Sequence, residues 1–258
     1  MSEITQIGAV NVEAELDRLA KRYRRAGNSA VDLINLVGGG AEGLLERLPA
    51  QARSGLQDAT RRALEQAMKV AHSSRGVVPD QKGWLNTAVG TAMGAAGGAG
   101  GLPTALAELP VTTTLLLRII QGVAVEHGFD SAAESVQFDC IEVFAAAGPL
   151  ADDDGADLGF LSARITLTGT ALQGIIARVA PRLATVLGQK LAAQTVPLLG
   201  AVAGAAMNYT YTNYYQEMAH VHFGLRKLAI DADVPVEDLV ARLRHRVTSR
   251  AVAEPRNR

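Results

Sequence analysis

The chain has 258 residues, of which 48% are hydrophobic and 20% are charged, and its formal net charge at pH 7 is −1. This composition excludes a wholly disordered protein, and it lacks the basic excess that would make nucleic acid an expected partner. The single cysteine, Cys140, excludes an internal disulfide framework and a cysteine-cluster metal site. Because the N-terminal segment has no basic stretch followed by an apolar run, no secretory signal is expected and the predicted location is the cytoplasm.

Helical periodicity extends along almost the whole chain. Apolar residues within 12–23 predict an N-terminal helix that breaks at Gly27–Asn28, and a second helix is predicted from Leu56 to Ala71. The apolar segment 108–128 predicts a further helix that its terminal glycine ends.

The second half of the chain continues this pattern. Residues 131–134 (SAAE) predict a capping box in which Ser131 caps the following helix. A helix that begins near Ser162 is predicted to be interrupted by Pro181, and the last helix is predicted to begin near Pro235. Because no segment alternates strictly between apolar and polar residues, the predicted fold class is all-α, a multi-helix bundle with Gly/Ala-rich, closely packed central helices.

The predicted organisation has three parts. They are an N-terminal helical extension at residues 1–50, a helical domain at 51–248 and a flexible tail at 249–258. The acidic loop at 151–157 is the best candidate for a further boundary, and we expect it to be solvated.

Two stretches, residues 85–107 and 191–216, carry no charged residue. Both contain glycines four positions apart, which leave a flat helix face that another backbone can approach closely. These glycines are Gly90, Gly94 and Gly98 in the first stretch and Gly200 and Gly204 in the second. One interpretation is internal helix packing, and the other is a hairpin that inserts into a membrane. A span needs about 20 mostly apolar residues, whereas 85–107 is rich in polar residues and glycine and 191–207 is short.

Four tyrosines, Tyr209, Tyr211, Tyr214 and Tyr215, directly follow residues 191–207 of the second stretch. Such a cluster is typical of an aromatic belt at a membrane surface. The alternative is that the rings pack inside the bundle with their hydroxyl groups hydrogen-bonded.

Glu108 and Arg118 are isolated charges within apolar sequence, and burying either one without a partner would be costly. Glu134 and Asn208 are among the candidate partners from other helices. The group is interpreted either as a structural polar network or as a ligand-binding or catalytic site. No catalytic residue, metal ligand or cofactor is assigned, since His220 and His222 lie two positions apart, about 200° around a helix, and do not suit one metal ion.

Basic residues cluster near both ends of the chain, beside amphipathic helices. The clusters are Lys21, Arg22, Arg24 and Arg25 near the start, and Arg242, Arg244 and Arg246 near the end. They are either solvated helix faces or contacts with anionic lipid head groups, for which each basic residue contributes about 1 kcal/mol.

Four segments carry a family resemblance: ALEQAM at 63–68, ELPVTTTLLLRIIQGVAVEHGFD at 108–130, the predicted helix from Glu134 to Phe144, and VPLLGAVAGAAMNY at 196–209. Through them, and through the glycine–alanine run, residues 55–230 resemble the EcsC family of bacterial proteins. The resemblance implies a helical, cytoplasmic, membrane-associated protein, linked by the family's name to a gene beside an ABC transporter, and it implies no catalytic mechanism. The positions that match the family pattern are Glu108, Pro110, Arg118, Gly128, Gly200, Gly204 and Asn208.

The leading functional hypothesis is a non-enzymatic helical protein that associates with the cytoplasmic membrane face, through lipid or through a membrane complex. One alternative is an enzyme or ligand-binding protein with a buried polar site around Glu108, Arg118 and Asn208. The other is a soluble bundle that forms homo-oligomers through an apolar face.

Overall fold

The computed structural model of the protein describes residues 10–37, 46, 48–74, 101–145, 171–194 and 200–253. Seven helices lie in these ranges: α1 (Val12–Val37), α2 (Ala50–Ser74), α3 (Gly101–Glu126), α4 (Glu134–Ala145), α5 (Ala171–Gln194), α6 (Gly200–Ala232) and α7 (Val236–Ala253). No strand occurs in these described ranges, which confirms the all-α prediction. Gly90, Gly94, Gly98 and the acidic loop at 151–157 lie outside the described residues.

The longest helix, α6, lies at the centre of the bundle and packs against five of the others. Helices α1 and α7 contact it from one side, and α3, α4 and α5 supply its remaining neighbours. Helix α2 packs mainly on α3 and α5. Because α1 packs extensively along α6, the N-terminal helix shares the main core; the predicted division at residue 50 stays a prediction.

Aromatic rings from α4 and α6 fill part of that core. Phe144 and Tyr215 are fully buried and meet edge to face, with their ring centroids 5.1 Å apart. Tyr211 is also buried, and its hydroxyl donates a hydrogen bond to the carbonyl of Val186, 3.1 Å away. Edge-to-face pairs contribute about 0.5–1.5 kcal/mol beyond the area they bury. This packing holds α6 against α4 and α5.

Two predicted helix breaks were wrong. Helix α1 continues through Gly27–Asn28, since one glycine costs a helix only about 1 kcal/mol relative to alanine. Helix α5 likewise continues through Pro181. A proline inside a helix costs about 3 kcal/mol, and buried residues on both sides of it, including Val179 and Leu183, offset that cost through packing.

The connection between α3 and α4 is a tight turn. Gly128 has a φ of +86°, a left-handed conformation that favours glycine, and α3 ends before it as predicted. The predicted capping box was wrong, because α4 begins at Glu134 itself. The Asp130 side chain instead accepts a hydrogen bond of 2.9 Å from the Ala132 amide. The turn fixes the direction in which α3 presents its last residues.

Within the described part of the chain, no helix is both long enough and apolar enough to cross a membrane.

Candidate functional site

A polar cleft lies between α1, the C-terminal end of α3 and the C-terminal part of α6. Its volume is about 380 Å³, and it is partly open to solvent. The lining is mostly charged or polar: Glu15, Arg18 and Arg22 from α1, Glu126 and His127 from the end of α3, and His220, Lys227 and Asp231 from α6. A volume of this size is at the lower end of the range for small-molecule sites.

Helical spacing explains why these side chains converge. On α6, Glu217, His220, Gly224, Lys227 and Asp231 recur at intervals of three and four residues, which place them on one face of the helix. Residues 15, 18 and 22 follow the same rule on α1. Since α1 packs along α6, the two polar stripes meet and form opposite walls of the cleft.

Gly224 sets the distance between these walls. A Cβ atom at this position would lie 2.7 Å from Leu19 Cδ2 and 3.6 Å from His127 Cε1. The first distance is too short for an ordinary van der Waals contact. A glycine at residue 224 therefore allows α1 and the end of α3 to approach α6 closely.

The two histidines of the cleft form a direct pair. His127 Nε2 and His220 Nδ1 lie 3.2 Å apart, so one ring donates a hydrogen bond to the other. The rings meet near edge to face, with centroids 5.4 Å apart. His220 Nε2 lies 3.8 Å from a Glu126 carboxylate oxygen. This pairing leaves one ring nitrogen of each histidine for other contacts.

Both histidines are neutral at pH 7. Burial, together with the charges of Arg22 and Arg18 and the nearby His127, lowers the pKa of His220 to about 3. The pKa of His127 is also lowered, first by burial and then by Arg18 and Arg22, while Glu15 acts in the opposite direction. Because His220 is neutral, its approach to Glu126 is not an ion pair. Burial is the main cause of both shifts, and the neighbouring arginines add to it.

Three cationic groups surround the pair, and each has a carboxylate neighbour. Arg22 Nη1 donates to Glu217 Oε2 over 2.8 Å, and only 8% of the Glu217 side chain is exposed. The other two pairs each join residues of the same helix, Arg18 and Glu15 on α1, and Lys227 and Asp231 on α6. Their side chains are more exposed than that of Glu217. Pairs of that kind stabilise a helix by only about 0.2–0.5 kcal/mol.

A second polar cluster lies on another face of α6, and we name it the Asp139 cluster after its central residue. The Asp139 carboxylate forms an ion pair with Arg226, and its other oxygen lies 3.3 Å from His222 Nε2. The Arg226 guanidinium also stacks over Phe129, 4.8 Å from the ring centroid. These contacts join α4, α6 and the α3–α4 turn. None of these four residues lines the cleft between α1, α3 and α6.

The basic residues that the sequence suggests as lipid contacts have two different environments. Arg242 and Arg246 of α7 form ion pairs with Glu13 and Asp17 of α1. Arg22 points toward Glu217, as described above. Lys21, Arg25 and Arg244 are exposed and Arg24 is half-buried; Arg25 Nη1 also lies 3.7 Å from Glu217.

The predicted polar network stays a prediction. Arg118 is half-buried in α3, Asn208 is buried in α6, and both interact with other groups. Glu134 is exposed at the first residue of α4. Glu108 lies in α3, but its side chain is outside the described residues.

The tyrosine cluster is divided between core and surface. Tyr211 and Tyr215 are buried, Tyr214 is half-buried and packs edge to face on Tyr215, and Tyr209 is exposed. Gly200 and Gly204 lie in the first two turns of α6. The side-chain environment of residues 200–204 is outside the described residues.

The sequence analysis did not predict the cleft. It considered His220 only together with His222 and assigned His127 to no site. The available signal was the polar stripe on α6, which recurs at intervals of three and four residues. Within the described ranges, no three His, Cys, Asp or Glu side chains are arranged to hold a metal ion.

Comparison with known proteins gives one match. The family profile described as EcsC protein family matches residues 28–228, which is most of the chain and includes the cleft residues of α3, together with all those of α6 except Asp231. No curated protein and no solved structure matches the chain.

Proposed function

The chain belongs to the EcsC protein family, and we propose that it is a non-enzymatic helical protein that associates peripherally with the inner face of the cell membrane. The contact is made with anionic lipid or with a membrane protein complex, such as a transporter. The observation that carries this proposal is a basic surface on α1.

That surface, the basic patch, consists of Lys21, Arg24 and Arg25. Their spacing of three and four residues puts them on one face of α1. Lys21 and Arg25 are exposed, and Arg24 is half-buried. Lys21 and Arg24 have no carboxylate within ion-pair distance in the described part of the chain. Lys21 and Arg24 are therefore available to an anionic partner, and the exposed Arg25, which has Glu217 as a neighbour, adds its charge beside them.

The acidic residues of α1 do not cancel this charge. Glu13 and Asp17 are engaged by Arg242 and Arg246 of α7, and Glu15 is engaged by Arg18. All three acids lie nearer the N-terminus than the patch. The charged side chains of α1 between residues 21 and 25 are therefore all basic. An anionic membrane surface attracts such a segment by about 1 kcal/mol for each basic residue near it.

Co-sedimentation with lipid vesicles tests the proposal. The full chain should sediment with phosphatidylcholine vesicles that contain phosphatidylglycerol, and much less with phosphatidylcholine alone. Replacing the patch by Lys21→Gln, Arg24→Gln and Arg25→Gln should lower the partition coefficient by roughly a hundredfold, since three contributions of about 1 kcal/mol are lost. Binding should also weaken at high salt because the attraction is screened.

The matched control removes the same charge from a different helix. Arg53, Arg61 and Arg62 lie on α2; Arg53 and Arg62 are exposed, and Arg61 is half-buried beside Glu65. Their triple replacement by Gln should leave vesicle binding within a few-fold of the wild type. Equal loss in both triple variants would mean that net charge alone matters, and the patch would not be the contact surface.

Fractionation of expressing cells separates lipid from protein partners. Peripheral attachment predicts release from the membrane pellet by high salt, whereas retention through a carbonate wash would show insertion and contradict a peripheral role. If the protein binds native membranes but not protein-free vesicles, the partner is a membrane protein. Recovery of all the protein in the supernatant, without vesicle binding, would rule out the proposal.

A further inference from the structure

The cleft between α1, α3 and α6 has no role in the proposed membrane contact, and its chemistry is specific. Two neutral histidines lie among three cationic side chains, Arg18, Arg22 and Lys227, which come from two helices. We propose that this cleft binds a phosphate group, with Arg18 and Lys227 at the rim and Arg22 and a histidine N–H group deeper inside.

Exposure supports this arrangement of rim and interior. The Arg18 and Lys227 side chains are 59% and 49% exposed, whereas Arg22 is 29% exposed and His220 is 13% exposed. The two rim cations are paired only with carboxylates of their own helices. Because such pairs are weak, a phosphate can compete for Arg18 and Lys227 without disturbing the fold.

Arg22 is positioned differently from the rim cations. Its bond to the buried Glu217 fixes the guanidinium beside the histidine pair. Arginine has five N–H donors in a planar fork, so one bond to a carboxylate leaves donors for a second anion. Arg22 therefore acts as a fixed donor in the interior of the cleft.

The histidine pair supplies one further N–H donor whichever way its internal hydrogen bond runs. If His127 Nε2 donates to His220 Nδ1, the N–H proton of the neutral His220 ring lies on its Nε2 atom. If His220 Nδ1 donates instead, the N–H proton of the neutral His127 ring lies on its Nδ1 atom. A neutral imidazole has one donor nitrogen and one acceptor nitrogen, so each arrangement leaves one N–H unused by the pair.

The charges beside the histidine pair disfavour a metal cation there. Arg18 and Arg22 both disfavour a positive charge on either histidine ring, and Lys227 does so for His127, whereas Glu15 acts in the opposite direction on His127. The lining also carries the carboxylates of Glu15, Glu126 and Asp231, and Arg22 is bound by Glu217. A phosphate therefore has to compete with Glu15 for Arg18 and with Asp231 for Lys227.

The volume sets the size of the ligand. A cleft of about 380 Å³ accommodates a phosphate together with an attached organic group. Two sources share this chemistry, a soluble phosphate ester and the phosphomonoester head group of a lipid. The proposal does not depend on membrane association, because a soluble ester would occupy the same residues.

The test is an NMR titration of the histidine side chains with inorganic phosphate, at constant ionic strength maintained with chloride. Saturable shifts are expected for His127 and His220, with an increase in their pKa because a bound anion stabilises the protonated ring. His245, exposed on α7, should not shift saturably and is the internal control. Chloride alone should not reproduce the effect.

Variants connect the signal to the proposed donors. Arg18→Gln and Lys227→Gln should each weaken phosphate binding about tenfold, the loss expected for one charge-assisted hydrogen bond. Arg62→Gln, an exposed change on α2, should have no effect. Because Arg18 and Lys227 are exposed, both variants should fold, which unchanged amide spectra outside the cleft would verify.

Two further titrations distinguish the sources of the phosphate. A soluble glycerol phosphate should displace inorganic phosphate if the ligand is a free ester. Vesicles of phosphatidylcholine with phosphatidic acid should bind in an Arg18- and Lys227-dependent manner if the ligand is a lipid. Either result supports the phosphate site. Absence of a saturable shift with all three probes, or shifts that Arg18→Gln and Lys227→Gln leave unchanged, would overturn it, whatever the vesicle result for the basic patch.

Discussion

Two faces of α6 carry a histidine, only two residues apart, and they differ in what surrounds it. His220 lies in a cleft, paired with another neutral histidine and surrounded by cations. His222 lies against Asp139, which also binds Arg226. One face is partly open and carries three cations that each have a carboxylate neighbour, and the other is occupied by the ion pair of Asp139 and Arg226. Position on the helix alone, about 200° of rotation, separates the two environments.

The difference indicates where stability and where binding reside. The Asp139 cluster joins α4, α6 and the α3–α4 turn, so its charges are engaged by the fold itself. In the cleft, the rim cations have only weak partners and the histidines retain an N–H donor. We therefore expect substitutions in the Asp139 cluster to affect folding and those at the cleft rim to affect binding.

The largest expected effect is on the Asp139 cluster. Asp139→Ala removes the partner of Arg226 and leaves a half-buried guanidinium without its carboxylate. Removing one partner of a buried pair costs about 3–5 kcal/mol, and the partial exposure of Arg226 favours the lower figure, about 3 kcal/mol. Urea unfolding of the full chain, followed by circular dichroism, measures the loss.

Asp231→Ala is the matched control on the cleft face. Asp231 is paired with Lys227 across one helix turn, so its removal should cost no more than about 0.5 kcal/mol. Equal destabilisation by the two variants would contradict the assignment of stability to the Asp139 cluster.

The sequence sufficed for the fold class and for several helix ends. Periodicity located the apolar stripe of α1, and Gly128 correctly marked the end of α3 because its left-handed φ needs a glycine. The breaks at Gly27 and Pro181 were predicted wrongly for a common reason. Local propensity costs of about 1–3 kcal/mol are smaller than the packing energy of a helix buried between neighbours.

The cleft could not be predicted because its residues come from distant parts of the chain. His127 and His220 are 93 positions apart, and only the packing of α1 and α3 on α6 brings them together. The sequence does show that Glu217, His220, Lys227 and Asp231 share a face. It does not show which helix covers that face, so the partner of His220 had to come from the tertiary structure.

A smaller effect is expected from the titration of the histidine pair. The pKa of His220 is about 3 in the folded protein and close to the ordinary 6.5 when unfolded, so the unfolded state binds more protons between these values. Stability is fully present above pH 6.5 and falls as the pH decreases. From pH 7 to pH 5 the free energy of unfolding should fall by about 2 kcal/mol, and the lowered pKa of His127 acts in the same direction.

His220→Gln should remove most of this pH dependence, since glutamine keeps a donor but does not titrate. His245→Gln, on the exposed surface of α7, should leave the slope as it is in the wild type. Urea unfolding at a series of pH values between 5 and 7 gives the comparison. A wild-type stability that does not change over this interval would show that the histidines are not held neutral by the fold.

The smallest effect concerns the spacing between α1 and α6. The same glycine-to-alanine change at two positions, Gly224 and Gly122, provides a test and its control. A Cβ atom added at Gly122, inside α3, would meet no atom within 4 Å, so Gly122→Ala should stabilise the protein by about 1 kcal/mol through helix propensity. At Gly224 the same methyl group would press on Leu19, and the cost of overpacking, about 1–3 kcal/mol, outweighs that gain. Gly224→Ala should therefore destabilise by about 1 kcal/mol and shift the His127 ring signals, whereas Gly122→Ala should not shift them. If both variants were equally stabilising, residue 224 would not limit the approach of α1, and the width of the cleft would have to be set elsewhere.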